Sequence, residues 1–332
     1  MESRAFLILN NKPIKKLLFF FALLAISQPY SAIGQTNPAL KDYSIKIWSN
    51  KEGLPSNNLS HIVKDPRGYL WISTFNGAVR FDGAEFKNFN TENISQLETS
   101  AVRSILPLSD GSMYFSTESS GLLYYRNGVF SAPFKDSNLP RNILTTYKTP
   151  DGRLWIGTMD AGIFYVEEGI VHKYNIKGHE DMAVNDFTLD SDNNLWVASS
   201  NKGVIKIGKE NYELFSEEQN LRANDVYSIE YYGGKLYVGT LRGLLIYSNG
   251  KWTEDKRFSD FGIYKIIRDK NENIWFGTTL GLARLDRLNS FEFLGIEDGL
   301  PARTINGIVI DEDNNVWLAT YRGGLVQLKE SR

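Results

Sequence analysis

The feature that most constrains this chain is a repeat. Leu154-Trp155-Ile156-Gly157-Thr158 lies between an Asp151-Gly152 turn and Gly162, and the same pattern returns along almost the whole sequence. The other copies are marked by Trp71, Tyr114, Trp196, Tyr237, Trp275 and Trp317. The aromatic recurs every ~41 residues, the length of one four-stranded propeller blade.

Aligning the copies on the aromatic exposes the rest of the unit. An apolar residue precedes it by twelve positions, or by eleven in the fifth copy: Leu59, Val102, Ile143, Val184, Val226, Ile263 and Ile305. Next comes Ile62, Ile105, Thr146, Phe187, Ile229, Ile266 or Ile308, followed by a turn rich in Gly, Asn and Asp. Those residues supply the left-handed backbone that tight hairpins need. A second glycine follows the aromatic strand (Gly77, Gly121, Gly162, Gly203, Gly243, Gly281, Gly323), and two more short apolar runs complete the unit. Each unit is thus a four-stranded antiparallel meander. The aromatic strands are almost unbroken apolar runs, as expected of a sheet covered on both faces rather than one. Blades stacked around an axis provide that cover.

The two ends of the repeat are complementary. Tyr43–Trp48 reads as a fourth strand with no blade of its own, and residues 324–328 read as a third strand with no fourth. The sequence therefore predicts an all-β fold: a seven-bladed β-propeller of four-stranded antiparallel blades, closed by the N-terminal strand completing the last blade. In this reading 43–48 pairs with 324–328, which leaves no long edge unpaired.

The N-terminus has a different character. Lys12, Lys15 and Lys16 precede a short apolar run, Leu17 to Ile26, and small residues follow at Ala32 and Gly34. This is the pattern of a secretory signal peptide cut after Gly34, and the run is too short to span ~30 Å of hydrocarbon. The expected organisation is a signal peptide over 1–34, a short leader over 35–42, the propeller over 43–329 and a tail over 330–332. A periplasmic or secreted location follows, without stable membrane insertion after cleavage. The full chain has a net charge of −2, and removing the basic leader makes it more negative. With no basic stripe left, nucleic acid is not an expected partner, since its binding rests on phosphate neutralisation. The chain has no cysteine, which excludes disulfides, zinc thiolate sites and a cysteine nucleophile.

Gly53-Leu54-Pro55, then Ile62 and Asp65, Leu70-Trp71-Ile72 and Arg80-Phe81-Asp82-Gly83 together resemble the two-component regulator propeller repeat, as does the last copy from Gly299-Leu300-Pro301. The resemblance covers roughly residues 43–328. The copies at Tyr114 and Tyr237 depart most, lacking both tryptophan and Gly-Leu-Pro. It implies the extracytoplasmic sensing region of hybrid sensor kinases, many tied to polysaccharide use. The chain ends at Lys329-Glu330-Ser331-Arg332, so the resemblance implies sensing or binding, and not kinase activity in this polypeptide. Either a stand-alone module or the front portion of a hybrid sensor histidine kinase fits, with a membrane sensor kinase as a partner.

No catalytic constellation stands out. His61, His172 and His179 follow no metal-ligand spacing, and no nucleophile elbow is present. The Asp190 and Asp311 turns look like half of a calcium loop but lack its central glycine and closing glutamate; a hairpin stabilised by its own aspartate is the plainer reading. No metal, cofactor or catalytic residue is assigned. Scattered acids such as Asp160, Asp186 and Glu118 keep a propeller-type polysaccharide lyase or hydrolase as the alternative. The leading expectation is a non-enzymatic module that binds a small extracytoplasmic ligand, most plausibly an oligosaccharide. Loops joining strands two to three and four to one share one face, and there the residues vary from blade to blade. The candidate ligand-binding residues are His61, Asn76, Arg103, Asp160, Tyr227, Arg242, Tyr264, Arg303 and Arg322. Arginine forks suit a carboxylate, which brings a uronic acid or a partner's acidic loop into consideration.

Overall fold

The computed structural model describes residues 38–99, 101–217, 221 and 223–330. The expected signal peptide and its cleavage site lie outside these residues. The described chain forms seven four-stranded antiparallel sheets, and in each the strands pair in meander order. The innermost strands are Leu59–Lys64, Val102–Pro107, Ile143–Lys148, Val184–Leu189, Val226–Tyr232, Ile263–Arg268 and Ile305–Ile310. Each contacts the innermost strand of the next blade, and the last contacts the first, so the ring is closed.

Closure uses the N-terminal strand. Tyr43–Trp48 pairs with Leu325–Glu330 in register Tyr43↔Glu330 through Trp48↔Leu325. The pairing extends two residues beyond the expected 324–328, and Glu330 belongs to the strand rather than to a tail. The ring of Trp48 stacks on Trp317 with centroids 5.3 Å apart and meets Phe81 edge-on at 5.3 Å, tying the last blade to the first.

The leader also packs. Leu40 is buried in the cluster between the sixth and seventh blades, with Trp275, Leu282, Leu294 and Leu328. Arg284, 2% exposed, pairs with Glu292 and donates to the Pro38 carbonyl at 2.7 Å. The Leu40 N–H in turn donates to Glu292 at 3.3 Å.

Each part of the repeat has a mechanical reason. The second strands Leu70–Thr74, Leu154–Thr158, Leu195–Ser199, Ile274–Thr278 and Val316–Thr320 are buried along their whole length. In blades 1, 4, 6 and 7 the indole N–H donates to an aspartate six residues earlier: Trp71 to Asp65 (3.1 Å), Trp196 to Asp190 (2.9 Å), Trp275 to Asp269 (2.8 Å) and Trp317 to Asp311 (2.9 Å). The other carboxylate oxygen accepts the N–H groups two and four residues on, as Asp311 does from Asp313 and Asn315. The carboxylates of Asp190 and Asp311 are thus engaged by their own hairpin and its tryptophan, as the plainer reading of those turns expected.

At Gly77, Gly203, Gly243, Gly281 and Gly324 the glycine answers to a close approach. A Cβ on Gly77 would lie 2.0 Å from the Phe89 carbonyl oxygen, and one on Gly203 would lie 2.2 Å from that of Phe215. In the last blade this glycine is Gly324, not Gly323. Gly324 has φ +79°, a Cβ there would sit 2.2 Å from the Trp48 carbonyl, and the Thr320 hydroxyl donates to its carbonyl at 2.7 Å. The glycine–threonine step has a similar cause: a Cβ on Gly157 or Gly239 would come within 2.6 Å of Val184 or Ile263 of the next blade.

Candidate functional site: the axial channel

The register of the innermost strands builds the channel in layers. Every one of them carries a β-bulge just after its first residue, where two residues oppose one on the neighbouring strand. The bulge residues Ser60, Arg103, Leu144, Asn185, Tyr227, Tyr264 and Asn306 all line an axial cavity of about 360 Å³. The next residues along, His61, Ser104, Thr145, Asp186 and Lys265, form a second layer of its wall. A third layer lies opposite the marker aromatics and includes Val63, Leu106, Tyr147, Glu230 and Ile267. The volume is within the ~300–1,000 Å³ range of small-molecule sites.

Some of these polar side chains hold the ring together. Asn185 and Asn306 donate to the carbonyls of Val226 and Leu59 in the following blade, both at 2.8 Å. His61 Nδ1 accepts the Ile105 N–H at 3.3 Å, so its remaining proton is on Nε2. Ser228 Oγ accepts the Ile266 N–H at 3.0 Å. Asp186 Oδ2 accepts from the Ser228 hydroxyl at 2.8 Å and from the Ile229 N–H at 3.3 Å, and it pairs with Lys265 Nζ at 3.3 Å.

Others have no such task. Tyr227 and Tyr264 meet edge to face with centroids 5.3 Å apart at the level of the bulges. Arg103 pairs with Glu118 at 2.9 Å and lies over the Phe75 ring at 5.2 Å, while its Nε and the Ser104 hydroxyl are buried without a protein partner. The electrostatics reflect burial. Desolvation pushes the Glu230 carboxyl up to about 7, opposed by Lys265 and reinforced by Asp186. Burial, with the Lys265 ammonium adding to it, pushes the His61 imidazole down to about 3, leaving it neutral.

Of the nine residues singled out from the sequence, the structure brings four together: His61, Arg103, Tyr227 and Tyr264 line the channel. Asn76, Asp160, Arg242, Arg303 and Arg322 are exposed and lie outside that lining. Arg242 is 3.4 Å from Glu217, and Arg322, at φ +71°, lies over the Tyr321 ring at 5.0 Å. Sequence reading missed Glu230 and Lys265 as members of one group with Asp186. The signal was available for Glu230: it pairs with Tyr237 at the position where Val63, Leu106, Ile267 and Val309 pair with their own marker aromatics.

Comparison with known proteins places this architecture. The model for the two component regulator propeller matches residues 53–76, 139–160 and 299–322. Three of the seven copies thus match the two-component regulator propeller repeat, in line with the resemblance read from the residues. No curated protein matches the chain. Among solved structures, the extracellular domain of a putative hybrid two component system from B. thetaiotaomicron superposes with a TM-score of 0.75 at 22% identity, over 87% of this chain and 42% of that one. The extracellular domain of a putative one component system from B. thetaiotaomicron gives 0.71 at 17%, over 87% and 40%. The chain thus spans less than half the length of these two relatives. Virginiamycin B lyase from Staphylococcus aureus gives 0.69 at 17%, over 86% of this chain and 99% of the lyase. At these identities the likeness is one of fold.

Proposed function

We propose that this chain is an extracytoplasmic ligand-binding propeller of a two-component sensory system. Its ligand enters the axial channel from the face carrying the strand two–three and four–one loops, and it acts by binding rather than by chemistry. One observation carries this reading. The bulge layer, which Leu144 and Ser60 fill in two blades, holds Arg103, Tyr227 and Tyr264 in others, and Glu230 stands in the layer that Val63, Leu106 and Ile267 fill with apolar side chains. Burying such groups opposes folding unless a partner compensates, and the scaffold does not need them. Paired tyrosine faces beside unspent donors suit a sugar ring with its hydroxyls, so an oligosaccharide is the favoured ligand class.

The acid–base groups are poorly placed for turnover. Asp186 is held by three donors, and His61 is committed to a backbone N–H of the next blade. The extracellular origin of the B. thetaiotaomicron relatives supports export, and with it the signal peptide over 1–34; a membrane sensor kinase is the partner this reading calls for.

The test is calorimetric titration with a glycan panel, with an assay for new reducing ends or unsaturated products on the same samples. Binding without product is expected. Tyr264→Ala or Arg103→Ala should weaken it roughly ten- to a hundred-fold, the equivalent of losing about 1.5–3 kcal/mol of contact. Turnover of any panel member would replace this reading with the lyase or hydrolase alternative.

A further inference from the structure

We propose a second sugar-binding site, on the opposite face between the third and fourth blades, which does not depend on the channel. It is a cavity of about 790 Å³ lined by Trp155, Tyr165, Tyr174 and Ile207, and also by Asp151 and Lys209.

Two devices that crowd the marker tryptophans of blades 1, 4, 6 and 7 are both missing here. The first is the aspartate clamp. Thr149 stands where Asp65, Asp190, Asp269 and Asp311 hold their indoles. Its hydroxyl donates instead to the Asp151 carboxylate and, at 3.1 Å, lies on the Arg153 carbonyl. Among the described residues no oxygen takes the Trp155 Nε1–H, and that nitrogen is not sealed in the interior. The second is a filler from the next blade. Tyr125 packs on Trp71 at 5.3 Å, Tyr247 on Trp196 at 5.4 Å, and Phe81 on Trp317 at 6.1 Å. Beside Trp275 the gap is occupied by Leu40 of the leader. Beside Trp155 the corresponding residue is Ile207, paired with Leu195 as Tyr125 is with Met113 and Tyr247 with Leu236.

The wall chemistry selects the ligand. Trp155, Tyr165 and Tyr174 lie with centroids 5.2 and 5.8 Å from the indole, giving apolar faces for the C–H edges of a pyranose. The indole N–H has no protein acceptor, so a ligand that covers it must supply one. Charge is balanced: Arg153 is neutralised by Glu167 at 2.8 Å, and the remaining charged lining residues are one acid, Asp151, held ionised chiefly by the Thr149 hydroxyl, and one base, Lys209. Neither an anion nor a cation gains from such a wall. A neutral polyhydroxylated ring, stacking on aromatics and bonding to both signs, does.

Thr149 also provides the test. Its turn matches that of Asp65: Thr149 N to Arg153 O is 3.0 Å and Gly152 N to Thr149 O is 2.9 Å, against 2.9 Å for both equivalents in the first blade. Thr149→Asp should therefore rebuild the clamp on Trp155 without strain. Saturation-transfer NMR on the full chain, with glucose, galactose, mannose, xylose, maltose and cellobiose as probes, reads the site. At least one probe should receive saturation, and Thr149→Asp and Tyr174→Ala should each cut its affinity roughly tenfold or more. The Thr149→Asp melt should stay level or rise, which separates loss of the site from loss of the fold. The inference is overturned if no probe receives saturation, or if the signal survives Thr149→Asp and vanishes in Tyr264→Ala, which would put the sugar in the channel alone.

Discussion

Glu230 shows what one residue can change in a repeated scaffold. Its carboxyl is raised to about 7 because burial disfavours the charged form. A carboxyl whose folded value lies above its unfolded value of about 4.3 binds its proton more tightly when folded. Its contribution to stability is therefore fully present below about pH 4 and is lost as pH rises through about 7. Glu230→Gln removes the titration and keeps the shape. The variant should melt above the parent at pH 8, and the gap should shrink steadily towards pH 5. A gap that is constant across this range would mean that Glu230 is solvated. His61 acts with the opposite sign: neutral when folded, it withdraws stability as pH falls below its ordinary value of about 6.5. His61→Gln should therefore flatten the acid side of the same profile. The position of Glu230 in the channel was legible from the repeat alignment; its closeness to Lys265 and Asp186, on the two adjoining blades, was not, because that depends on how far the side chains of different layers reach along the channel wall.

At the scale of the element, the hairpin and its tryptophan form one unit. Asp269 accepts from the Trp275 indole, from the Asn271 and Asn273 N–H groups and from the Asn273 side chain. Removing that carboxylate leaves a buried indole N–H unpaired, and an unsatisfied buried group costs about 1–3 kcal/mol. Asp269→Ala should lower urea stability by about 2–3 kcal/mol. Asp192→Ala, on an exposed turn where the backbone N–H alone serves Asp190, should change it by less than about 0.5 kcal/mol. Equal losses would show that the turn and not the clamp matters. The strands, the turns and the apolar second strand were readable because period and turn chemistry are local. The gap beside Trp155 was not, since it lies where Thr149 coincides with Ile207 from the neighbouring blade. Likewise the repeat glycine of the last blade was misplaced by one, because what fixes Gly324 is the Trp48 carbonyl from the other end of the chain.

At the scale of the whole molecule, residues 38–48 do two separable jobs. Tyr43–Trp48 supplies the outer strand of the last blade, and Trp48 sits between Trp317 and Phe81. Leu40, by contrast, fills the space beside Trp275, and the Pro38 carbonyl accepts from Arg284, a buried cation paired with the half-buried Glu292. A chain beginning at Tyr43 should keep the closed ring and lose the burial of Leu40, about 1.5–3 kcal/mol. A chain beginning at Ser49 should lose far more. It bares the edge of Leu325–Glu330, and such an edge is a template for pairing with another chain. It also exposes Trp317 and Phe81 and removes the carbonyl around which Gly324 is built. The Ser49 chain should therefore melt well below the Tyr43 chain and form dimers or larger species in light scattering as its concentration rises. If the two chains melt together and both stay monomeric, the ring does not depend on the N-terminal strand, and blade-to-blade packing alone must hold it closed.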